Sequence, residues 1–377
     1  MSGPGFEAKR ALRIGIDGRE MEGRPTGVGR YLRSLLTRWD RTLPHSLIVY
    51  SGAPVELALG GDLVANRVLG DAHSLWWEQR TLPAAARADG IDVLFCPAYS
   101  CPLLASMPRV TAIHDLSFFA RREEFTLVHG LRRRMMARLA ARLSRSLLAC
   151  SEFTKSEIRR HLGPVAAAKT AVVALGPDDG LPPGPDRAAC RAALGLSDAD
   201  TYVITVGTIL ARRNIPMLVR AVSRLVPDHP GLRLGIVGDN RSHPFEDPMA
   251  LARSLGCERA VRVSGFVANR EIAGHYAAAD LAIFLSEYEG FGLPALEAMS
   301  RGVPTMVADR ASLNEIFGPG ALVVEPNEAG VVGGLTRVIG DPAFAADLRR
   351  RGQEHAKAFS WERAAADTLR VLEGAAL

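Results

Sequence analysis

The segment Ser286–Arg301, SEYEGFGLPALEAMSR, holds two glutamates, Glu289 and Glu297, around a glycine-rich turn. An apolar run, Leu281–Leu285, precedes it, and Pro294 stands where the first turn of a helix tolerates proline. Gly290 and Gly292 let the backbone approach a ligand closely, and the start of the following helix presents N–H groups to an anion. Glu289 lies ahead of that helix and Glu297 in about its first turn or just beyond. One carboxylate can then reach one end of a ligand while the other meets hydroxyls elsewhere. The competing reading is a strand-to-helix turn carrying two solvated glutamates.

A second constellation, Gly207-Thr208-Ile209-Leu210-Ala211-Arg212-Arg213-Asn214, follows the apolar run Tyr202–Val206. Two adjacent arginines at a strand end can clamp a diphosphate with charge-assisted hydrogen bonds; otherwise they are ordinary solvated charges. In the first half, Leu12–Asp17 is followed by a loop ending Thr26-Gly27-Val28-Gly29-Arg30-Tyr31. Leu32 occupies the place of a third fingerprint glycine, and the loop is too long for the tight turn of a dinucleotide site. That disfavours dinucleotide binding and leaves a glycine loop facing a cleft. The run Arg109–Ile113 ends in His114-Asp115-Leu116. A histidine at the mouth of a parallel sheet can accept a proton or hydrogen-bond a sugar or phosphate; alternatively it is a structural histidine beside an aspartate.

Three features carry less. Asp198-Ala199-Asp200 spells a DxD that some transferases use for Mg²⁺ or Mn²⁺, but it precedes a strand and so sits at the wrong end of the sheet. Leu131–Arg145 sets six arginines among Leu, Met and Ala, as a solvated face or as a basic amphipathic helix touching anionic lipid. Trp76-Trp77 reads as core or domain packing.

The elements that position these residues alternate along the chain. Strand-like runs at Leu12–Asp17, Ser46–Ser51, Ile91–Cys96, Arg109–Asp115, Ser146–Cys150 and Thr170–Ala174 are separated by amphipathic stretches such as Arg30–Trp39 and Leu131–Ser144. Runs recur at Tyr202–Val206, Leu232–Val237, Val261–Ser264, Leu281–Leu285, Thr305–Ala308 and Ala321–Val324, with Ile215–Leu225 and Leu293–Arg301 as helices between them. Such alternation predicts an α/β protein of two doubly wound parallel-sheet domains facing a cleft. Ligands of such sheets bind outside the C-terminal ends of the strands, where the motifs above fall. The Pro- and Gly-rich stretch Leu175–Pro185 divides residues 1–177 from 187–360, with 178–186 as linker and 361–377 as a final helix.

Composition narrows the function. No run approaches the roughly 18 apolar residues of a membrane span, and Met1–Arg10 lacks the apolar stretch of a secretory signal. Five scattered cysteines without a CxxC pair predict thiols in a reducing, cytoplasmic setting and suggest neither disulfides nor zinc. The net charge of +5 divides into +9 over residues 1–177 and −4 over the remainder. A basic first half suggests an anionic partner. With 6% aromatics and no basic/aromatic interleaving, nucleic acid fits less well than an anionic membrane surface or a phosphorylated acceptor.

Taken together, IGIDGR…TGVGRY, TAIHDLSFF, ACSEFTKSEI, VGTILARRN, SGFV and EYEGFGLPALEAMSRGVP resemble glycosyltransferase family 4, retaining enzymes of the GT-B fold with nucleotide-sugar donors. The resemblance runs from about residue 12 to the Phe359–Arg363 segment. Glu289 and Glu297 match the ends of the family's E-x7-E motif. It implies that Glu297 binds the ribose hydroxyls, that Glu289 contacts the donor sugar, and that backbone groups of Phe291, Gly292 and Leu293 lie near sugar and diphosphate. Thr208 belongs to the same binding set. Arg212 and Arg213 fall where the family has Arg-Lys, so Arg213 replaces a lysine at the diphosphate. Gly27 and Gly29 would approach the diphosphate from the first domain, His114 matches the cleft histidine, and the helix from Trp361 would brace the first domain. The expected reaction is metal-independent hexosyl transfer, mannose from GDP-mannose in first place and a UDP-sugar as the alternative. The expected acceptor is a glycan or lipid-linked sugar of surface-polysaccharide assembly. A glycoside hydrolase using Glu289 and Glu297 would leave the arginines and glycine turn unexplained. An inactive nucleotide-sugar-binding protein and a related-fold epimerase are the remaining alternatives.

Overall fold

The computed structural model describes residues 10–377 apart from 24–26, 40–43, 56–63, 178, 179, 181 and 183. The Met1–Lys9 stretch, Thr26 at the head of the glycine segment, and parts of the 178–186 linker therefore lie outside the described residues.

The apolar runs become the strands of two parallel sheets. The first contains β1 (Arg13–Asp17), β2 (Ser46–Ser51), β3 (Val64–Val68), β4 (Val93–Cys96), β5 (Arg109–Ile113), β6 (Ser146–Ala149) and β7 (Thr170–Val172). The second contains β8 (Thr201–Val206), β9 (Leu232–Val237), β10 (Val261–Ser264), β11 (Leu281–Phe284), β12 (Thr305–Ala308) and β13 (Leu322–Val324). Their orders are β3-β2-β1-β4-β5-β6-β7 and β10-β9-β8-β11-β12-β13, and every neighbouring pair is parallel. Expected and observed strands agree to within two residues. The exception is β3, whose VANRV pattern breaks the apolar run and which occupies a sheet edge.

Seven helices bear on the site: α1 (Gly27–Trp39), α2 (Leu127–Leu143), α3 (Glu152–Leu162), α4 (Ile215–Leu225), α5 (Leu293–Ser300), α6 (Ala311–Phe317) and α7 (Trp361–Ala376). Strand order reverses between β1 and β4 in one sheet and between β8 and β11 in the other. Loops diverge at such switch points and open a crevice at the C-terminal strand ends. An apolar cluster runs from Ile14, Phe95 and Val110 of the first sheet through Tyr31 and Trp361 to Phe291, Leu296 and Phe317 of the second half. Trp77 is buried in a satellite cluster beside Tyr50 and Leu82, whereas its neighbour Trp76 is exposed, so only one of the pair serves packing.

Helix α7 leaves the second half and packs against α1. Trp39 Nε1 donates to the Ala365 carbonyl at 3.0 Å, and Arg38 and His45 meet Glu362 and Glu373 at 3.2 and 3.0 Å. Trp361 is 2% exposed, and its Nε1 donates to the Pro177 carbonyl at 2.7 Å. It thereby joins the chain's end to the segment entering the linker. Truncating a buried Trp of this kind costs about 3–5 kcal/mol. Trp361→Ala is expected to lower the urea midpoint of the full chain sharply and Trp361→Phe only modestly; equal midpoints for both variants and wild type would contradict this packing role.

Candidate active site

The residues singled out in the sequence converge on the two switch points. Glu289 to Gly292 follow β11, Gly207 to Arg213 follow β8, and α1 follows β1. His114 follows β5, directly beside the first sheet's switch strands. The facing loops touch across the cleft.

The closest contact is made by Gly290. Its carbonyl accepts from Ser151 Oγ at 2.7 Å, from Cys150 Sγ at 3.2 Å and from Thr154 Oγ1 at 3.3 Å, all in the first domain. A Cβ at Gly290 would collide with the carbonyl oxygen of His114, so only glycine permits this approach. The turn is braced from behind by Ser312 of α6, whose hydroxyl donates to the Glu289 carbonyl at 2.7 Å. Phe291 turns its ring into the core, edge-on to Phe317 and Phe359 at 5.9 and 6.0 Å. Gly292 is the N-cap residue of α5 and Leu293 its first residue. Pro294 has no N–H, and Ala295 and Leu296 donate to the Gly292 carbonyl. The N–H groups of Gly292 and Leu293 are thus the donors that the first turn leaves over among the described residues.

Glu297 lies in the second turn of α5 and is 2% exposed, so it is no solvated glutamate. Tyr276 Oη donates to its Oε2 at 3.1 Å, and Arg30 of α1 reaches to 3.5 Å of its Oε1 from the other domain. Burial, with Glu297 beside it, holds the Tyr276 phenol well above its usual range. Glu289 Oε1 sits 3.4 Å from Arg213 Nη2. The Arg213 guanidinium lies over Gly207 at the end of β8, where any Cβ would collide with it. Thr208, the next residue, is half-buried.

Several expectations are corrected. Gly27 and Gly29 do not form a loop: they are in the first turn of α1, Gly29 buried and Gly27 exposed, and the helix itself approaches the cleft with Arg30 as its charged group. Arg212 and Arg213 sit in one tight 3-10 turn, and each takes a different carboxylate partner. Arg212 Nη1 is 2.7 Å from Glu124 of the first domain, with both side chains almost buried. Arg213 pairs with Glu289. The basic helix begins at Leu127 and ends at Leu143, leaving Arg145 beyond it, where its backbone N–H joins β5. Asp200 is at the start of β8, bound to Ser197 and Arg233 and remote from the strand ends that carry the site. Among the described residues no three His, Cys, Asp or Glu side chains are grouped as a metal site.

His114 lines a cavity of about 340 Å³ together with Glu20, Tyr99, Asp115, Phe125, Arg133 and Arg212. Its Nε2 is 2.9 Å from the Pro97 carbonyl, which can only accept, so Nε2 carries the proton and Nδ1 is the nitrogen left to receive one. Burial pulls its pKa below the usual histidine value, more strongly than Asp115 and the Pro97 bond raise it. The ring packs edge-on to Tyr31 at 4.7 Å. A neutral imidazole oriented by a backbone carbonyl can accept a proton or a hydrogen bond in the cleft.

Two parallel-sheet α/β domains thus meet at their switch points through one glycine. Residues 25–180 match the model of Glycosyltransferase Family 4, and residues 186–355 that of Glycosyl transferases group 1. The chain is 30% identical over 267 residues to O-antigen chain mannosyltransferase B of Escherichia coli, an alignment covering 69% of this chain and 68% of that one. It is 34% identical over 225 residues to a D-inositol 3-phosphate glycosyltransferase of Kineococcus radiotolerans, covering 54% of this chain and 51% of that relative. The fold matches Anabaena HepE in complex with UDP and glucose at TM-score 0.76, with 19% identity over 96% of this chain and all of that one. It matches a sucrose-phosphate synthase from Thermosynechococcus elongatus at 0.75, with 20% identity over 96% and 98% of the two chains. The chain belongs to glycosyltransferase family 4.

The partners Arg30, Glu124, Ser151 and Ser312 were not assigned roles. Arg30 and Ser151 lie inside the TGVGRY and ACSEFTKSEI motifs, whereas Glu124 and Ser312 lie outside the quoted motifs. The Gly290 contact has a direct test. Gly290→Ala is expected to leave each domain folded yet separate them, seen as a larger radius of gyration in small-angle scattering and a loss of transferase activity. An unchanged scattering profile would show that the contact does not hold the cleft.

Proposed function

We propose that this family-4 glycosyltransferase is a retaining, metal-independent hexosyltransferase that moves mannose from GDP-mannose to a glycan or lipid-linked acceptor in surface-polysaccharide synthesis. The observation that carries the reading is the burial of Glu297 at the cleft, between Tyr276 of its own domain and Arg30 of the other. A buried carboxylate at that point suits the paired hydroxyls of a ribose. The likeness to an O-antigen mannosyltransferase supports the sugar and the pathway class. A UDP-sugar donor is the second reading, favoured by the fold's match to a protein in complex with UDP and glucose.

The chemistry follows from charge. Cleavage of the glycosyl–phosphate bond puts negative charge on the leaving diphosphate and positive charge on the sugar. In this reading the Arg213 guanidinium and the N–H groups of Gly292 and Leu293 stabilise the first. The Arg213–Glu289 pair opens as the diphosphate takes the guanidinium, which frees Glu289 to meet the sugar's hydroxyls. This reading assigns no residue as a covalent nucleophile and takes attack from the face the diphosphate leaves in preference to double displacement. The incoming hydroxyl gives its proton to the departing phosphate oxygen, with His114 Nδ1 as a hydrogen-bond acceptor beside it.

Helix α2 supports work at the inner face of the cell membrane. No described helix is long and apolar enough to cross a bilayer. Yet Leu127, Val128, Leu131 and Met135 are exposed on α2, alongside Arg132, Arg138 and Arg142. An apolar stripe flanked by arginines suits the surface of an anionic leaflet.

Two measurements test these readings. Thermal shift against a panel of nucleotides and nucleotide sugars should show stabilisation of about 2.7 kcal/mol at a hundredfold excess over Kd. It should appear for GDP and GDP-mannose, persist with EDTA and vanish in Glu297→Ala. A response to UDP compounds alone would change the donor; silence across the panel would remove the transferase reading. Separately, the chain should pellet with anionic liposomes and stay in the supernatant with neutral ones. Equal recovery from both would end the membrane assignment.

A further inference from the structure

We infer that Glu157 and Tyr288 are positioning residues for the transfer step: Glu157, on α3 of the first domain, holds the Tyr288 hydroxyl and so fixes where Glu289 stands against the His114 loop. The inference rests on the transferase reading for the role of Glu289. It adds two residues that act on the reaction without touching the sugar.

Glu289 has little of its own to hold it. Its Oε1 meets Arg213 at 3.4 Å, and its Oε2 is buried without a hydrogen-bond partner among the described residues. A buried carboxylate oxygen left open in this way suits a ligand's hydroxyl, and it is only as well placed as the backbone that carries it. That backbone is pinned residue by residue. The Glu287 N–H donates to the Arg212 carbonyl at 2.8 Å, Ser312 donates to the Glu289 carbonyl, and the Gly290 carbonyl receives Ser151. Of residues 287–290, Tyr288 sends its side chain into the first domain. Its Oη donates to Glu157 Oε2 at 3.2 Å, and its ring stands edge-on to Phe153 at 5.2 Å. Asp115 and the Leu116 backbone, directly after His114, also act on its phenol. One hydroxyl thus ties the residue before Glu289 to α3 and brings it against the His114 loop.

Packing alone does not call for this bond. Tyr288 and Glu157 are each 6% exposed, and burying a phenol and a carboxylate is costly unless they are paired. Phenylalanine would fill the same space beside Phe153. Glu157 is itself steadied by its neighbours: His161 Nε2 lies 3.3 Å from its Oε2 and Arg160 Nη1 3.5 Å from its Oε1. The His161 ring stacks on Phe119 at 5.1 Å, and Phe119 packs at 5.2 Å on Phe118, which lines the His114 cavity. The contacts therefore run from that cavity's wall, through Glu157, to the glutamate turn on the other side of the cleft.

The test follows release of nucleoside diphosphate from GDP-mannose and from UDP-glucose by the full chain, with methyl mannoside present. Attack by the glycoside and attack by water are then both counted. In either, the bond from the sugar's C1 to the phosphate oxygen breaks, the attacking oxygen bonds to C1 and its proton leaves with the diphosphate. Tyr288→Phe should lower kcat about tenfold, equivalent to roughly 1.4 kcal/mol, with donor KM and the nucleotide-induced thermal shift unchanged. Glu157→Ala should do the same, and the double variant should be no slower than either single one. Glu157→Gln, which can still accept from the phenol, should keep most of the wild-type kcat. Phe153→Leu loosens the packing but leaves the bond, so it should lower the urea midpoint and spare kcat. Wild-type kcat in Tyr288→Phe, a loss carried by donor KM, no rescue by Glu157→Gln, or an equal loss in Phe153→Leu would overturn the assignment. A wild type that turns over neither donor would instead overturn the transferase reading, and this inference with it.

Discussion

The architecture turns on one seam, where the Gly290 carbonyl receives the Ser151, Cys150 and Thr154 side chains and its Cα lies against the His114 carbonyl. Everything that needs both halves of the molecule depends on that distance. Glu289 precedes the seam by one residue and α5 follows it by three, so their placement relative to the first domain is set there. Glu315 of α6 reinforces the join by accepting from the Glu152 and Phe153 N–H groups at 2.8 and 2.7 Å, a carboxylate on the N-terminus of α3. Tyr288 adds a hydrogen bond to Glu157 at 3.2 Å.

A second regularity is that three cleft arginines are each paired with a carboxylate. Arg30 faces Glu297, Arg212 faces Glu124 and Arg213 faces Glu289. Two of these three pairs join the domains and the third does not. Buried charges left without partners are costly, so the arrangement keeps an empty cleft tolerable. A diphosphate entering it exchanges one carboxylate partner for another anion, and no bare charge has to be created. That arrangement favours ligands whose own charges reproduce those of the carboxylates they displace.

The parallel sheets were legible because buried strands are written as short apolar runs, which is why Leu232–Val237 and Thr305–Ala308 agree end to end. Edge strand β3 was not, since Asn66 and Arg67 interrupt the pattern where one side faces out. Glu289 and Glu297 stood out because they flank a glycine-bearing strand-to-helix turn, and His114 because it directly follows a strand. What escaped was direction. Gly27 and Gly29 read as a loop because glycine weakens helices, yet tertiary packing carries α1 through both. Arg212 and Arg213 look equivalent as neighbours, yet each takes a different carboxylate partner. Their partners lie 88 and 76 positions away, Glu124 in the first half and Glu289 after β11 of the same sheet, beyond any local pattern.

The return of α7 to the first sheet has a consequence for biosynthesis. Trp361, Ala364 and Leu372 join a core that includes Ile14, Tyr31, Phe95 and Val110 from the first half of the chain. During translation the first sheet emerges early but lacks its last covering layer until the whole second sheet has been made. The second sheet, contiguous in sequence, can close by itself. The half that starts first therefore finishes last, and for the time it takes to synthesise nearly two hundred residues it exposes a greasy flank to whatever chaperone attends the ribosome.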